Sequence, residues 1–138
     1  MDSLKIMQKV EKQDRPFAGA KVYEHMDVNT CHDQGDVRII RLASLPPESE
    51  LEEIKDFKGV VAQGLADGAD HQILAEDLPG VKAYRWKKAD VFIGPFIRTV
   101  KAWTLTHKNH KWATMPAGDY QISYPRELNL GQIRRVID

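Results

Sequence analysis

The chain has 138 residues, with 20 Lys and Arg against 20 Asp and Glu, 42% hydrophobic residues and one cysteine, the composition of an ordinary globular domain. A chain of this length can bury about two thirds of its unfolded surface and needs neither disulfide nor metal merely to fold. The lone Cys31 excludes an intramolecular disulfide framework and suits a reducing compartment.

Other classes lose support on the same grounds. Balanced charge supplies no global field for nucleic acid or an anionic membrane. No apolar run approaches the roughly 18 residues of a membrane span, and Met1 to Val10 alternates charged and apolar residues instead of forming a signal-peptide core. The expectation is a cytosolic protein with no membrane partner and no nucleic-acid partner.

In chain order, Leu4, Met7 and Val10 stand three apart, as in a short helix, yet Leu4 and Ile6 also fit a strand, so the opening segment stays unassigned. Asp14 to Gly35 is polar and carries Pro16, Gly19, Asn29 and Gly35, a long connection with a brief strand at Lys21 to Tyr23. Asp36 to Ala43 is rich in β-branched and aliphatic residues and bounded by Gly35 and Pro46-Pro47, the clearest strand in the chain. Pro47 to Ile54 has Pro and acids early and Leu51 three before Ile54, which predicts one or two helical turns.

Further strands are predicted at Gly59 to Gln63, His71 to Ala75, Val81 to Lys87, Val91 to Ile93 and Phe96 to Thr106, with Gly94-Pro95 as a break. Neither parity of Phe96 to Thr106 is cleanly polar, so that strand should bend or cross from one sheet to another. A short strand at Lys111 to Thr114 precedes a half-buried one at Asp119 to Tyr124, where Tyr120, Ile122 and Tyr124 share a face. Leu128, Leu130, Ile133, Val136 and Ile137 in the tail predict docking on the core.

Regular turn signals between short strands predict one mainly β domain over residues 1–138, a sandwich or jelly roll with short helical segments at 47–54 and near the C-terminus. Residues 1–33 form an N-terminal extension whose order the sequence leaves open, and 34–138 the β core.

The sharpest chemical feature is His107-Lys108-Asn109-His110, because imidazoles three apart converge on one ion if the chain turns between them, and Zn, Fe, Ni and Mn accept neutral imidazole. A catalytic ion needs about three protein ligands, so His71, Glu127, Asp70 or Glu76 would have to supply the third. Solvated loop histidines are the blander alternative. His25, Cys31 and His32 make a weaker group without zinc-finger spacing, and adjacent strand residues point oppositely, against a Cys31–His32 nucleophilic pair. No phosphate-binding glycine loop, dinucleotide fingerprint, nucleophile elbow or zincin motif occurs. Trp86, Trp103 and Trp112 are expected in core or partial-core packing rather than as a stacking surface, and Lys87-Lys88 and Arg134-Arg135 as solvated surface.

The order Gln34-Gly35-Asp36-Val37, Val61-Ala62-Gln63-Gly64 with Gly68 and His71, Leu105-Thr106-His107 with His110, Pro116-Ala117-Gly118-Asp119-Tyr120 and Arg126-Glu127 resembles a family of small, mostly uncharacterised bacterial and phage-associated β proteins, over roughly residues 34–138. It is also broadly similar to the cupins, whose barrel binds a metal through histidines. That resemblance implies a cupin-like barrel and assigns His71, His107 and His110 as ligands, with Glu127 a weaker fourth. Ala69 stands where a cupin would have the first histidine of its pair, so the ligand set is incomplete.

The leading functional expectation is a non-enzymatic accessory or ligand-binding module, plausibly phage-encoded, that recognises a small molecule or protein. Two alternatives are a metal-dependent enzyme using the histidines with a divalent ion, and a virion or complex-forming subunit that self-associates through exposed strands.

Overall fold

The computed structural model describes residues 20–64 and 69–125, together with the backbone of 133–135. Its strands are β1 (Lys21–Val22), β2 (Cys31–Gln34), β3 (Val37–Leu42), β4 (Leu51–Glu53), β5 (Val60–Gly64), β6 (His71–Ile73), β7 (Val81–Trp86), β8 (Ile93–Thr99), β9 (Trp103–Thr106), β10 (Ala113–Met115), β11 (Gly118–Ser123) and β12 (Ile133–Arg135). They form two six-stranded sheets, ordered β1-β10-β9-β6-β5-β12 and β2-β3-β11-β8-β7-β4. The β1–β10 pair is parallel, and the other neighbours run antiparallel.

The mainly β expectation holds, but the sheets remain open and do not close into a cupin-like barrel. One hydrophobic core joins them, with Trp103, Leu105 and Met115 from the first sheet and Ile39, Ile97 and Tyr120 from the second, all fully buried. Trp103 and Tyr120 meet edge to face across it, with ring centroids 5.2 Å apart. Trp112 is also buried, in a small satellite cluster with Ala20, while Trp86 packs edge-on against Phe96 at 5.7 Å. The expected packing role of the tryptophans is therefore what the chain uses.

The mixed faces of Phe96 to Thr106 have a simple cause. β8 belongs to the second sheet and β9 to the first, and the chain crosses between layers over Val100-Lys101-Ala102. Gly94-Pro95 does not break the strand as predicted. Both residues lie within β8, and the β8–β11 register shifts there, from Gln121 opposite Phe96 to Ser123 opposite Ile93. Proline has no N–H for the ladder, and the irregularity absorbs the missing bond.

The helix predicted at Pro47 to Ile54 is a correction. Only a 3₁₀ turn forms, at Glu48–Glu50, and Leu51–Glu53 continue as an edge strand against β7, with Leu51 opposite Trp86. Cross-strand packing outweighs a weak helical signal that spans less than two turns. A second 3₁₀ segment, Ala75–Gly80, replaces the end of the strand predicted to reach Ala75. Near the C-terminus, where a helical segment was expected, β12 is extended and pairs with β5; the docking of the remaining tail lies outside the described residues.

The long polar connection before Gly35 contains an element that the pattern did not suggest. β2 pairs with β3 through a two-residue turn at Gly35-Asp36, with Gly35 at φ 57°. Glycine at the first central position is what a tight hairpin turn of the II′ kind requires. At the opposite end of β3, Gly118 has φ 152°, and a side chain there would overlap the Arg41 guanidinium. Among the described residues no helix is long and apolar enough to cross a membrane.

Because Ile97 is fully buried between the sheets, Ile97→Ala should cost about 2–5 kcal/mol through lost burial and a residual cavity. Val100→Ala, in the crossing where Val100 is 78% exposed, should stay within about 0.5 kcal/mol. Urea denaturation of both variants checks the assignment; equal losses would contradict it.

Candidate functional site

The β2–β3 hairpin of the second sheet reaches across one end of the sandwich to the first sheet. There it meets the start of β6, the end of β9 and the segment leading to β10. The contact is made by Gln34, a side chain 2% exposed. Its Nε2 donates to the carbonyls of Leu105 at 3.0 Å and Lys111 at 3.1 Å. Two carbonyl acceptors identify the amide end, so Oε1 is the atom 2.8 Å from Nδ1 of His71. That nitrogen must then be protonated and donate. His71 is fixed in its Nδ1–H form, with the lone pair of Nε2 left outside this network.

The other two predicted histidines are beside it. The ring centroids of His71 and His107 are 4.2 Å apart, those of His107 and His110 4.6 Å, and those of His71 and His110 6.2 Å. His107 is 6% exposed, whereas His110 is exposed. The backbone N–H of Asn109 donates to Nδ1 of His107 at 2.9 Å, so a neutral His107 carries its proton on Nε2. Trp112 Nε1 donates to the His107 carbonyl at 3.1 Å, which holds the backbone between the two histidines. His110 lies over the hairpin: a Cβ on Gly35 would stand 2.5 Å from its Nε2. Glycine at that turn thus serves both its positive φ and the close approach of an imidazole.

Electrostatics keep His71 neutral. Burial, followed by the neighbouring His107 and His110, pushes the His71 pKa down to about 3. The arrangement offers an amide and imidazoles at a sheet end, with one ring open to solvent. Among the described residues no group of three or more His, Cys, Asp or Glu side chains stands ready to hold a metal ion. The histidines are gathered, but their nitrogens do not converge as the rings stand.

The remaining candidates fall elsewhere. Asp70 Oδ1 accepts the Gly64 amide at 3.2 Å, and Glu76 lies in the second 3₁₀ segment. Glu127 is outside the described residues. His25 is exposed and bonds Asp27 at 2.6 Å, while His32 Nδ1 and the Tyr23 hydroxyl share a hydrogen bond of 2.6 Å. Cys31 is opposite Ile40 and His32 opposite the core residue Ile39, so the two side chains leave β2 on different faces, as strand geometry requires. The lysine pair sits at the surface, Lys87 donating to the Ser49 carbonyl and Lys88 to Glu50.

The residue that sequence reasoning did not assign to the site is Gln34. Its position beside Gly-Asp in a short turn was a usable hairpin signal, but nothing local shows that its amide would meet His71, 37 residues later.

Since the unfolded chain protonates His71 near its ordinary 6.5 and the fold resists protonation until about 3, the unfolded state binds more protons in that window. The stability that His71 contributes is complete above about pH 6.5 and falls as the pH drops through the window. Lowering the pH from 6.5 to 5 should cost about 1.5 kcal/mol, before most carboxylates titrate. His71→Asn should flatten that slope. Urea midpoints measured across the range decide it, and an unchanged slope in the variant would refute burial of a neutral His71.

Comparison with known proteins adds one match: residues 33–124 fit the family described as a domain of unknown function, DUF8820. No curated protein and no solved structure matches the chain. The matched region starts one residue before Gln34 and includes all three clustered histidines. It spans more than half of the chain, and the protein belongs to the DUF8820 family.

Proposed function

We propose that this protein is a non-enzymatic ligand-binding β module whose recognition site is the Gln34–His71–His107–His110 centre at the end of the sandwich. The observation that carries this reading is His71: buried, held through Nδ1 by a Gln34 amide that is itself anchored twice, and able to offer Nε2 as an acceptor. Such a group is preorganised, and preorganised polar groups lower the entropic cost of holding a ligand. The adjoining His110 is exposed and gives an incoming molecule a surface to touch.

Binding is favoured over acid–base chemistry by the same environment. An efficient general base titrates near the working pH, whereas His71 is pushed down to about 3. A neutral imidazole with a fixed tautomer is better suited to accept a hydrogen bond than to exchange a proton in each turnover.

The test is nuclear magnetic resonance of the histidine ring nitrogens during titration with a panel of small polar molecules that carry N–H or O–H donors. At least one should shift His71 Nε2 and His110 while leaving His25 unmoved. His110→Ala should weaken that ligand about tenfold or more without loss of fold. Shifts confined to other surfaces, or none across the panel and none with metal ions, would overturn the reading.

A further inference from the structure

From the pocket over the outer face of the second sheet we infer a second ligand site, separate from the histidine centre, that takes a neutral, hydroxyl-rich small molecule of the sugar class. Strands β3 and β4 are separated in their sheet by β11, β8 and β7, so the connection over residues 43–50 has to pass three strands. Ala83 and Ile97 face the core at 1% and 0% exposure, and their neighbours Tyr84 and Arg98 therefore point to the opposite, outer face. Between that face and the connection lies a pocket of about 300 Å³, where Ser44, Leu45, Pro46 and Glu48 stand over Tyr84 and Arg98. Its size is at the lower end for small-molecule sites.

Both walls are fixed. Tyr84 pairs with Glu53 of β4 on one side and Phe96 of β8 on the other. Arg98 is held by Asp119 through two bonds, Nε to Oδ1 at 2.8 Å and Nη2 to Oδ2 at 3.2 Å, which leaves the Nη1 donors for another acceptor. The far end of the connection is tied down at the end of β7, where the Lys87 amide donates to the Glu50 carbonyl at 2.9 Å and Trp86 Nε1 to the Glu50 carboxylate at 3.0 Å. Between these points Pro46 and Pro47 restrict the backbone by fixing φ.

The lining selects the ligand. Asp119 already meets the charge of Arg98, so an anion gains little there and faces the Glu48 carboxylate. A cation drawn to Glu48 would face Arg98 and Lys82, which stands opposite Arg98 on β7. A neutral polyol satisfies both groups: its hydroxyls donate to Glu48 and accept from Arg98 Nη1, and the Tyr84 and Ser44 hydroxyls can do either. Among the described residues no side-chain bond engages Glu48 or Tyr84. Leu45, Pro46, Leu51 and the Tyr84 ring offer the C–H faces of such a molecule an apolar surface.

The experiment uses the full chain and follows the backbone amides and the Arg98 Nε–H by nuclear magnetic resonance. The probes are glucose, galactose, mannose and N-acetylglucosamine, with sodium acetate and methylammonium chloride titrated separately. At least one sugar should give saturable shifts at Ser44, Tyr84 and Arg98 and leave His71 and His110 unmoved. Tyr84→Ala and Glu48→Ala should each weaken that sugar about fivefold or more, the scale of one lost hydrogen bond, and His110→Ala should leave its affinity unchanged. Glu48 is exposed in the connection, so its variant keeps the fold and decides the matter if Tyr84→Ala does not fold. No saturable shift with any of the four sugars, tighter binding of acetate or methylammonium at the same residues, or an affinity untouched by Glu48→Ala would each overturn the inference. Sugar shifts at His71 and His110 in place of Tyr84 and Arg98 would overturn it as well and would count for the histidine centre instead.

Discussion

The amide of Gln34 is the contact on which this end of the molecule depends. It belongs to the edge hairpin of the second sheet, yet its three hydrogen bonds all reach toward the first. Two fix the amide, and the third fixes a histidine. A buried amide that lost its partners would carry a desolvation cost of about 1–3 kcal/mol, so the bonds favour one alignment of the hairpin against β6 and β9. The polar centre is built on that alignment.

A second constraint comes from the way the chain alternates between layers. β7 and β8 lie in the second sheet, β9 and β10 in the first, and β11 returns to the second. Each crossing brings residues distant in sequence to one end of the sandwich, and the histidines illustrate the result. His71 opens β6, His107 follows β9, and His110 sits between β9 and β10. Since β6 and β9 are adjacent strands, two separate stretches of chain deliver their imidazoles to one place. The outer face of the second sheet is simpler. Arg98–Asp119 at 2.8 Å and Arg38–Asp33 at 2.7 Å are cross-strand pairs, and the solvent-exposed Arg38–Asp33 pair contributes little to stability.

His71 is polar but not charged, and this shapes the chemistry around it. Burial of His71 penalises its protonation, and the neighbouring His107 and His110 add to that penalty. The fold therefore favours a neutral His71 ring, whose nitrogens act as hydrogen-bond donor and acceptor. His71 is locked by Gln34, His107 is held by the Asn109 amide, and exposed His110 rests against Gly35 and the two other rings. The three thus range from fixed to adjustable, an order that suits a site with a rigid floor and an adaptable rim.

Much of the architecture was legible in the residues themselves. The strands at Val37–Leu42, Val60–Gly64, Val81–Trp86 and Gly118–Ser123 follow from β-branched and aromatic runs bounded by glycine and proline, because those residues suit a pleated, half-buried surface. The mixed faces of Phe96 to Thr106 already pointed to a strand that bends or changes layer, and the fold takes the second course. His71, His107 and His110 were legible as chemistry-bearing residues that could meet, and the fold brings their rings together. Tertiary structure decided the rest. Leu51–Glu53 became a strand because β7 offered it a partner, and Cys31–Gln34 because β3 did. Pairing of that kind is non-local and leaves little trace in a short window. Folding also set the tautomer of His71, its suppressed protonation and its companionship with Gln34, since burial and hydrogen bonding depend on what the distant chain brings alongside. The sequence by itself determined which groups could do chemistry here; only the packing of two sheets decided that they would stand together.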